Sequence, residues 1–211
     1  MDKSIQIDTF IRLTRVSRET ITSLIKYEKL LIDANKSLNL IGKSTINSIW
    51  DRHFLDSAQV IDFIDKNFKT LIDLGSGAGF PGLVIALLAR DRKISLKVNL
   101  LEKSPRKAEF LNKLASNLNL NVKVTCEDIS KNQYIFMEDV LVARAFKPLE
   151  VIFKLIHNRS KKWKKFFVFL GKTGKQELLQ ASKRWDIQYK QWVSVTNNDS
   201  IILEIDNLKK K

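Results

Sequence analysis

The strongest chemical signal in the sequence is a cluster of glycines directly after a short apolar run. The run, Thr70–Leu74, carries Asp73 near its end and is followed by Gly75, Gly77 and Gly79. Glycines at this spacing let the backbone turn sharply and approach a ligand at the carboxyl edge of a sheet. The pattern Gly-x-Gly-x-Gly differs from the Gly-x-Gly-x-x-Gly of dinucleotide-binding proteins. It therefore favours a cofactor such as S-adenosylmethionine over NAD.

Acidic residues follow the next two apolar runs and complete a nucleoside-binding pattern. Glu102 closes the second run, where an ionised carboxylate can accept hydrogen bonds from both ribose hydroxyls. Cys126 and Glu127 follow the third run, where the edge of an adenine ring would be read. The residues expected to bind the cofactor are therefore Asp73, Gly75, Gly77, Glu102, Cys126 and Glu127. The alternative is a glycine turn that serves only packing, with Glu102 as a partner for the dipole of the following helix.

The residues after the fourth apolar run bear on which atom is methylated. Methylation of the adenine amino group usually employs an Asn/Asp-Pro-Pro-aromatic segment there, whereas this chain has Ala-Arg-Ala-Phe at 143–146. Methylation at carbon five of a pyrimidine needs a nucleophilic cysteine. The only cysteine, Cys126, lies beside two acidic residues that disfavour its thiolate form. Both reactions are therefore disfavoured.

A ring nitrogen such as guanine N7 fits the pattern better, because it has an available lone pair and carries no proton to remove. The enzyme can then work mainly by aligning nitrogen, methyl and sulfur, and no general base is expected. Arg144 lies at the carboxyl edge of the predicted sheet, and its planar guanidinium suits a carboxylate or the edge of a base. We expect Arg144 to position the cofactor or the base, and to affect turnover more than folding.

Hydrophobic periodicity divides the chain into a helical part and an alternating part. Residues 1–68 show apolar stripes at helical spacing and predict an N-terminal helical extension. From residue 69, short apolar runs alternate with amphipathic segments, which is typical of βα units around a parallel sheet. Predicted strands cover residues 70–74, 96–101, 122–125, 140–143, 166–170, 186–193 and 200–205. A turn is predicted at 197–199.

These elements predict an α/β, Rossmann-like class I methyltransferase fold. The sheet should be mostly parallel and seven-stranded, with helices on both faces and an antiparallel pair at its end. The expected organisation is a helical extension over residues 1–68 and a methyltransferase domain over residues 69–211, together in one compact unit.

Composition narrows the partners and the compartment. The 211 residues include 37 Lys and Arg against 23 Asp and Glu, a net charge of +14 that favours nucleic acid through counterion release. The alternative is a solvated basic surface. One cysteine and two histidines exclude an internal disulfide and disfavour a metal site. Because no apolar stretch is long enough to span a membrane and no secretory signal is visible, a cytoplasmic protein is expected.

Four segments carry a specific resemblance: residues 39–40 (NL), 52–57 (RHFLDS), 73–82 (DLGSGAGFPG) and 144–146 (RAF). Together they resemble the RsmG (GidB) family, which methylates N7 of one guanine in bacterial 16S (small-subunit) ribosomal RNA. The resemblance implies S-adenosyl-L-methionine as cofactor and this RNA, or a ribosomal particle, as partner. It implies cofactor contacts at Gly75, Phe80, Cys126, Glu127 and Arg144. We expect a monomer that uses neither membrane nor metal.

The family segments also suggest residues that bind the substrate: Asn39, Arg52, His53, Asp56 and Lys172. Arg52 can hold a phosphate or stack on a base, with His53 and Asp56 shaping the mouth of the pocket. Alternatively, Asp56 caps the next helix and Arg52 pairs with a carboxylate. The family usually has Leu-Lys-Gly after the fifth strand, whereas this chain has Leu-Gly-Lys at 170–172, so the role of Lys172 stays undecided.

Two other functions are compatible with parts of this pattern. A methyltransferase acting on another RNA or a small molecule would keep the glycine loop without needing a basic surface around Gly75, Arg144 and Lys172. A non-catalytic RNA-binding protein would keep the sheet without the cofactor. The intact Asp73, glycine loop and Glu102 argue against this second alternative.

Overall fold

Seven strands form a single sheet in the computed structural model, which describes residues 2–131, 134–160 and 162–211. The strands are β1 (Thr70–Leu74), β2 (Lys97–Glu102), β3 (Val122–Cys126), β4 (Val140–Arg144), β5 (Lys165–Leu170), β6 (Trp185–Ser194) and β7 (Asn197–Lys210). Their spatial order is β3-β2-β1-β4-β5-β7-β6. Strands β1 to β5 pair in parallel, and β7 runs antiparallel to both β5 and β6. The predicted mostly parallel, seven-stranded α/β sheet is confirmed.

Helices cover both faces of this sheet. They are α1 (Lys3–Thr14), α2 (Arg18–Leu38), α3 (Asp56–Ala58), α4 (Gly82–Asp91), α5 (Pro105–Asn117), α6 (Leu149–Arg159) and α7 (Gly174–Ser182). Helices α2, α4 and α5 bury apolar side chains in one core, whereas α6 and α7 bury theirs in another. The strands contribute to both cores because successive side chains point to opposite faces. Leu71 belongs to the first core and Ile72 to the second.

The N-terminal helices pack directly against the sheet. Phe10 on α1 and Leu24 on α2 lie in the same core as α4. Tyr27 on α2 is fully buried, and its hydroxyl donates a 2.7 Å hydrogen bond to the carbonyl of Ala78 in the glycine loop. After α2 come a 3-10 helix (Lys43–Ser48), a π-helical turn (Trp50–Leu55), α3 and a second 3-10 helix (Gln59–Phe63). These segments share a core with the sheet and support its glycine loop.

The turn between β6 and β7 differs from the prediction. Ser194 pairs with Asn197, so the two residues between them form the turn, and the predicted turn at 197–199 is wrong. The reason is tertiary: Asp56 Oδ1 accepts hydrogen bonds from the hydroxyls of Ser194 and Thr196, at 2.8 and 3.2 Å. These contacts prevail over the turn preference of the Asn-Asn-Asp sequence.

Helix α7 has no counterpart among the predicted elements. The helix buries the apolar side chains of Leu178 and Ala181, whereas the neighbouring Leu179 is exposed. Two apolar positions one turn apart make too weak a stripe to predict a helix from periodicity.

Gly82, the first residue of α4, is a position where a side chain should harm the fold. A Cβ atom there would lie 2.5 Å from Leu100 Cδ2 and 2.7 Å from Asp73 Oδ2. We expect Gly82→Ala to destabilise the chain by about 1–3 kcal/mol through overpacking. At about 2–4 °C for each kcal/mol in a chain of this size, thermal unfolding will resolve the change.

The matched control is Gly171→Ala, because a Cβ atom on Gly171 would meet no atom within 4 Å. Its melting temperature should equal that of the wild type. If Gly82→Ala also melts at the wild-type temperature, the close approach of α4 to β2 is incorrect.

Candidate active site

A cleft of about 430 Å³ opens at the carboxyl ends of β1, β2 and β4. It is lined by residues 40–42, 53, 75–78, 80, 101–103, 107, 127–130 and 144–147. Its volume is typical of small-ligand sites, and its position is where open α/β sheets bind ligands. The predicted cofactor residues that line it are Gly75, Gly77, Phe80, Glu102, Glu127 and Arg144. Asp73 and Cys126 do not line it.

Hydrogen bonds to the neighbouring strand fix the glycine loop at the wall of the cleft. The N–H groups of Gly75 and Ser76 both donate to the carbonyl of Leu101, at 2.8 and 3.0 Å. Gly75 has a φ of 75° and Gly77 a φ of 55°, in the left-handed region that favours glycine. A Cβ atom on Gly75 would also overlap the ring of Phe146. The loop therefore needs glycine both for its turns and for the approach of Phe146.

Glu102 presents a buried carboxylate to the cleft. Its Oε2 accepts a 2.9 Å hydrogen bond from the N–H of Gly77, and its Oε1 accepts a 2.8 Å hydrogen bond from the N–H of Ser104. Each carboxylate oxygen has a further lone pair, so Glu102 can still accept two hydroxyl hydrogen bonds. The side chain therefore both orders the glycine loop and remains an acceptor for a ligand.

Asp73 is buried next to the glycine loop, and its side chain does not line the cleft. Its side chain is fully buried, and Oδ2 accepts a 2.9 Å hydrogen bond from the N–H of Gly82. Burial raises the pKa of Asp73 to about 7, while the Gly82 hydrogen bond opposes the rise. This hydrogen bond fixes the start of α4, and the contact between Asp73 and the cofactor stays a prediction.

The end of β3 brings only part of the predicted adenine-reading segment to the cleft. Glu127 and the following Asp128 line it, whereas Cys126 is exposed to solvent outside it. Side chains alternate along a strand, and this alternation directs neighbouring residues to opposite sides. Glu127 therefore lines the cleft, whereas Cys126 does not.

Arg144 is held by several groups of the N-terminal region. Its Nε lies 3.0 Å from Asp56 Oδ2, and Nη2 donates a 2.6 Å hydrogen bond to the carbonyl of Arg52. Both Nη atoms lie 3.3 Å from Nδ1 of His53. Arg144, which is predicted mainly to contact a ligand, therefore also links β4 to the π-helical turn. This geometry revises the expectation that Arg144 matters little for folding.

His53 lines the cleft as a neutral ring. Because arginine can only donate, Nδ1 must accept from Arg144, and Nε2 then carries the proton that it donates to Thr45 Oγ1 at 2.9 Å. The ring stacks on Phe80 with 4.9 Å between centroids. Burial and, less strongly, the charges of Arg144 and Arg52 lower the pKa of His53 to about 3. His53 therefore carries no charge at neutral pH.

Asp56 and Arg52 differ in how completely they are engaged. Besides Arg144, Asp56 accepts hydrogen bonds from Gln59, Ser194 and Thr196. The N-cap position of α3 is Leu55, so Asp56 is not the cap of this helix and the alternative helix-cap role is wrong. Arg52 is exposed and forms no ion pair with any residue that the structure describes.

Asn39 and Lys172, the other predicted substrate residues, lie outside the cleft. Asn39 is exposed at the end of α2 and adopts a left-handed φ of 47°. Lys172 is exposed in the turn between β5 and α7. Neither residue lines the cleft, so a contact with substrate would have to occur on the surface around it.

Three lysines of the cleft are absent from the predicted set: Lys103, Lys107 and Lys147. Lys103 directly follows Glu102 and Lys107 lies in the first turn of α5, so both positions are predictable from their closeness to the end of β2. Tyr27 is also absent from the predicted set. It stacks on Phe80 with 5.4 Å between centroids, but its helical stripe indicates only a core position.

Within the described residues, no helix is both long and apolar enough to cross a membrane. The same parts of the chain contain no cluster of three or more His, Cys, Asp or Glu side chains arranged for a metal ion.

The sheet order and the cleft at its carboxyl edge define a class I methyltransferase fold. A solved structure with this fold is TrmK of M. capricolum in complex with S-adenosylhomocysteine. Its TM-score is 0.52 at 15% sequence identity, over 71% of this chain and 66% of that chain. At this identity the likeness shows the fold alone.

The family follows from the sequence comparisons. The model of the family described as rRNA small subunit methyltransferase G (GidB) matches residues 20–202. The chain is 37% identical over 198 residues to the ribosomal RNA small subunit methyltransferase G of Pelagibacter ubique, covering 93% of this chain and 92% of that protein. The protein of the same name from Rickettsia felis is also 37% identical over 198 residues, with coverages of 94% and 99%. This chain therefore belongs to the rRNA small subunit methyltransferase G family, and the resemblance is confirmed.

His53 should make stability depend on pH in the acid range. Its pKa falls from 6.5 to about 3 on folding, so between these values the unfolded chain binds more protons. The stabilisation is complete above the unfolded pKa and is lost as pH falls, by at most about 1.4 kcal/mol for each pH unit. Denaturant unfolding at several pH values should show a smaller acid loss for His53→Gln than for the wild type. Parallel curves would mean that His53 is not held neutral by its surroundings.

Proposed function

We propose that this chain transfers the methyl group of S-adenosylmethionine to N7 of one guanine in bacterial small-subunit ribosomal RNA. The observation that carries the proposal is the Glu102 carboxylate, fixed beside the glycine loop at the wall of the cleft in a member of this family. The choice of N7 rests on the family resemblance and on the chemistry of a ring nitrogen that carries no proton.

The cleft residues fit this cofactor in their chemistry. Gly75 and Gly77 let the backbone come close to a ligand, Glu102 has lone pairs for ribose hydroxyls, and Glu127 offers an acceptor for an adenine amino group. Phe80 supplies an apolar face. When bound, S-adenosylmethionine supplies a methyl group whose carbon–sulfur bond breaks as the N7 lone pair bonds to the carbon, so that the electron pair stays on sulfur and the positive charge passes to the base.

The contribution of the chain to this reaction is positioning. Since N7 loses no proton, no side chain has to act as a base. Both nitrogens of His53 are engaged, and the ring is fixed on Phe80. The charge of Arg144 is paired with Asp56. On this side of the cleft, fixed and compensated groups hold the two reactants in line without adding an unpaired charge.

The lysines of the cleft support an RNA substrate. S-adenosylmethionine carries a net positive charge, so Lys103, Lys107 and Lys147 have no electrostatic reason to surround it. A polyanion gives them one, because lysines that replace condensed counterions on phosphates stabilise an RNA complex. Arg52, exposed and without an ion pair among the described residues, suits a phosphate or a base in the same way. Asn39 and Lys172 are proposed to contact RNA around the cleft.

The proposal also covers the domain organisation, the compartment and the oligomeric state of the chain. Residues 1–68 are proposed to act as a helical extension that forms one compact unit with the methyltransferase domain at 69–211. The substrate, as ribosomal RNA or a ribosomal particle, places the activity in the cytoplasm. The chain is proposed to act as a monomer.

Replacement of Glu102 tests the cofactor site. We expect Glu102→Ala to weaken S-adenosylmethionine binding by about 10- to 150-fold, because hydrogen bonds to a charged group contribute about 1.5–3 kcal/mol. Calorimetric titration measures the dissociation constant. Glu109→Ala is the control, since Glu109 is an exposed glutamate on α5 that pairs with Lys113. Equal constants for both folded variants would remove Glu102 from the cofactor site.

Methyl transfer itself is tested with ribosomal RNA that lacks the modification. Purified chain and labelled cofactor should convert one guanine of the small-subunit RNA, free or in particles, to N7-methylguanine, as located by cleavage mapping. RNA affinity should fall steeply with salt, by about 0.7–0.9 in logarithmic slope for each phosphate contacted, while cofactor affinity changes little. A methylated product other than N7-methylguanine, or parallel salt slopes for both ligands, would refute the proposal.

A further inference from the structure

Thr45 lies behind the wall of the cleft and contacts one residue of that wall. It belongs to the first 3-10 helix, is half-buried and does not line the cleft. Its Oγ1 lies 2.9 Å from Nε2 of His53, which does line the cleft. The other ring nitrogen of His53, Nδ1, lies 3.3 Å from Nη1 and Nη2 of Arg144. Thr45 is therefore connected to Arg144 through a single imidazole ring.

The hydrogen bonds along this path have one direction. The hydroxyl of Thr45 donates its proton to the carbonyl of Gly42 at 2.8 Å, so Oγ1 can only accept from His53. At the other end, the guanidinium of Arg144 can only donate. Both neighbours of the ring therefore require the same tautomer, with the proton on Nε2 and the lone pair on Nδ1. Donation runs from Arg144 through His53 and Thr45 to Gly42.

The backbone around Thr45 is held without the hydroxyl. The N–H of Thr45 also donates to the carbonyl of Gly42, at 2.9 Å. Just before it in the chain, Oδ1 of Asn35 accepts hydrogen bonds from the N–H groups of Leu40 and Ile41, at 2.6 and 2.9 Å. Removal of the hydroxyl leaves these backbone bonds in place. The group that loses its partner is the N–H of the imidazole ring.

One nitrogen of Arg144 depends on this ring for its position. Its Nε and Nη2 have other partners in the N-terminal region, whereas the partner that the described residues provide for Nη1 is His53. Stacking on Phe80 fixes the plane of the His53 ring but permits a half-turn about its Cβ–Cγ bond. That half-turn would place a carbon atom where Nδ1 now accepts. Thr45 opposes it, because the bond to Nε2 would be lost.

We propose that Thr45 is a positioning residue for methyl transfer, which acts through His53 to hold Nη1 of Arg144 at the wall of the cleft. This inference rests on the proposed function and deepens it by adding a residue outside the cleft. Groups that position reactants keep their geometry when a further layer of hydrogen bonds locks them. Since the proposed reaction depends on alignment, a small displacement of such a group lowers its rate steeply.

Thr45→Val tests the inference, because valine keeps the shape of threonine without its hydroxyl. We expect the single-turnover rate at saturating cofactor and RNA to fall at least about tenfold, with both dissociation constants within about twofold of wild type. Thr45→Ser keeps the hydroxyl and should hold the rate within about twofold of wild type. Thr22→Val is the matched control, since the Thr22 hydroxyl donates to the carbonyl of Arg18 on the exposed surface of α2. Its rate should equal that of the wild type.

A nuclear magnetic resonance spectrum of the histidine ring nitrogens tests the connection without any need for activity. The chain has two histidines, and His157, exposed on α6, is the internal reference. With isotopically labelled histidine at neutral pH, His53 should show a protonated Nε2 and an unprotonated Nδ1. Thr45→Val should shift the signals of both nitrogens, including Nδ1 on the side of Arg144. Thr45→Ser should keep the wild-type spectrum.

The outcomes distinguish this inference from the function on which it rests. A wild-type rate in Thr45→Val would overturn the inference, and so would a rate in Thr45→Ser as low as that of the valine variant. An unchanged Nδ1 signal in Thr45→Val would show that the ring does not transmit the loss, with the same consequence. If Thr45→Val folds poorly, Thr45→Ala, which also lacks the hydroxyl, decides. Failure of the wild type to methylate the RNA would instead refute the proposed function.

Discussion

The arrangement of the site depends on one partly buried cation, the guanidinium of Arg144. Burial lowers its pKa, and the charge of Asp56 opposes that effect. A charge removed from water is tolerated only with close partners, and Arg144 finds them in Asp56, His53 and the carbonyl of Arg52. Because these partners come from the π-helical turn and the first residue of α3, the need to compensate one charge fixes the N-terminal region against the end of β4. His53 and Arg144, which meet at that junction, both line the cleft.

The same constraint explains why the side of the cleft formed by His53 and Arg144 adds no uncompensated charge. A protonated His53 would lie against Arg144, so the ring stays neutral, with its pKa near 3. Asp73 is buried behind the loop with a pKa near 7, which limits its negative charge at neutral pH. The cofactor proposed for this cleft is a cation, and a neutral histidine avoids the repulsion that an imidazolium would cause. The lysines of the cleft, by contrast, are suited to phosphates.

Features that depend on neighbours in sequence could be predicted, and features that depend on distant residues could not. The strands, the glycine loop and Glu102 follow from local periodicity and from the rule that parallel strands end at one edge. The position of the β6–β7 turn depends on Asp56, more than a hundred residues earlier, so the local Asn-Asn-Asp signal was misleading. The partners of Arg144 are also far away in sequence, 92 residues in the case of the Arg52 carbonyl. The end of a strand predicts that Asp73 and Cys126 lie at the edge of the sheet where the cleft opens. It does not predict whether their side chains line the cleft, because that depends on burial and on the alternation of side chains along the strand.

An acceptor nitrogen without a proton changes what an active site has to provide. No group must be poised near neutral pH to gain or lose a proton, so rate depends on how well two reactants are held in line. That requirement favours side chains whose hydrogen-bonding groups all have partners within the protein, as both ring nitrogens of His53 do. It also favours charges that are paired, as those of Arg144 and Asp56 are. Ala145, which follows Arg144 in the wall of the cleft, has a left-handed φ of 49°, and strain of this kind persists only where the surrounding structure holds it. The commitment of these residues to one another is therefore the physical basis of the positioning that the proposed reaction needs.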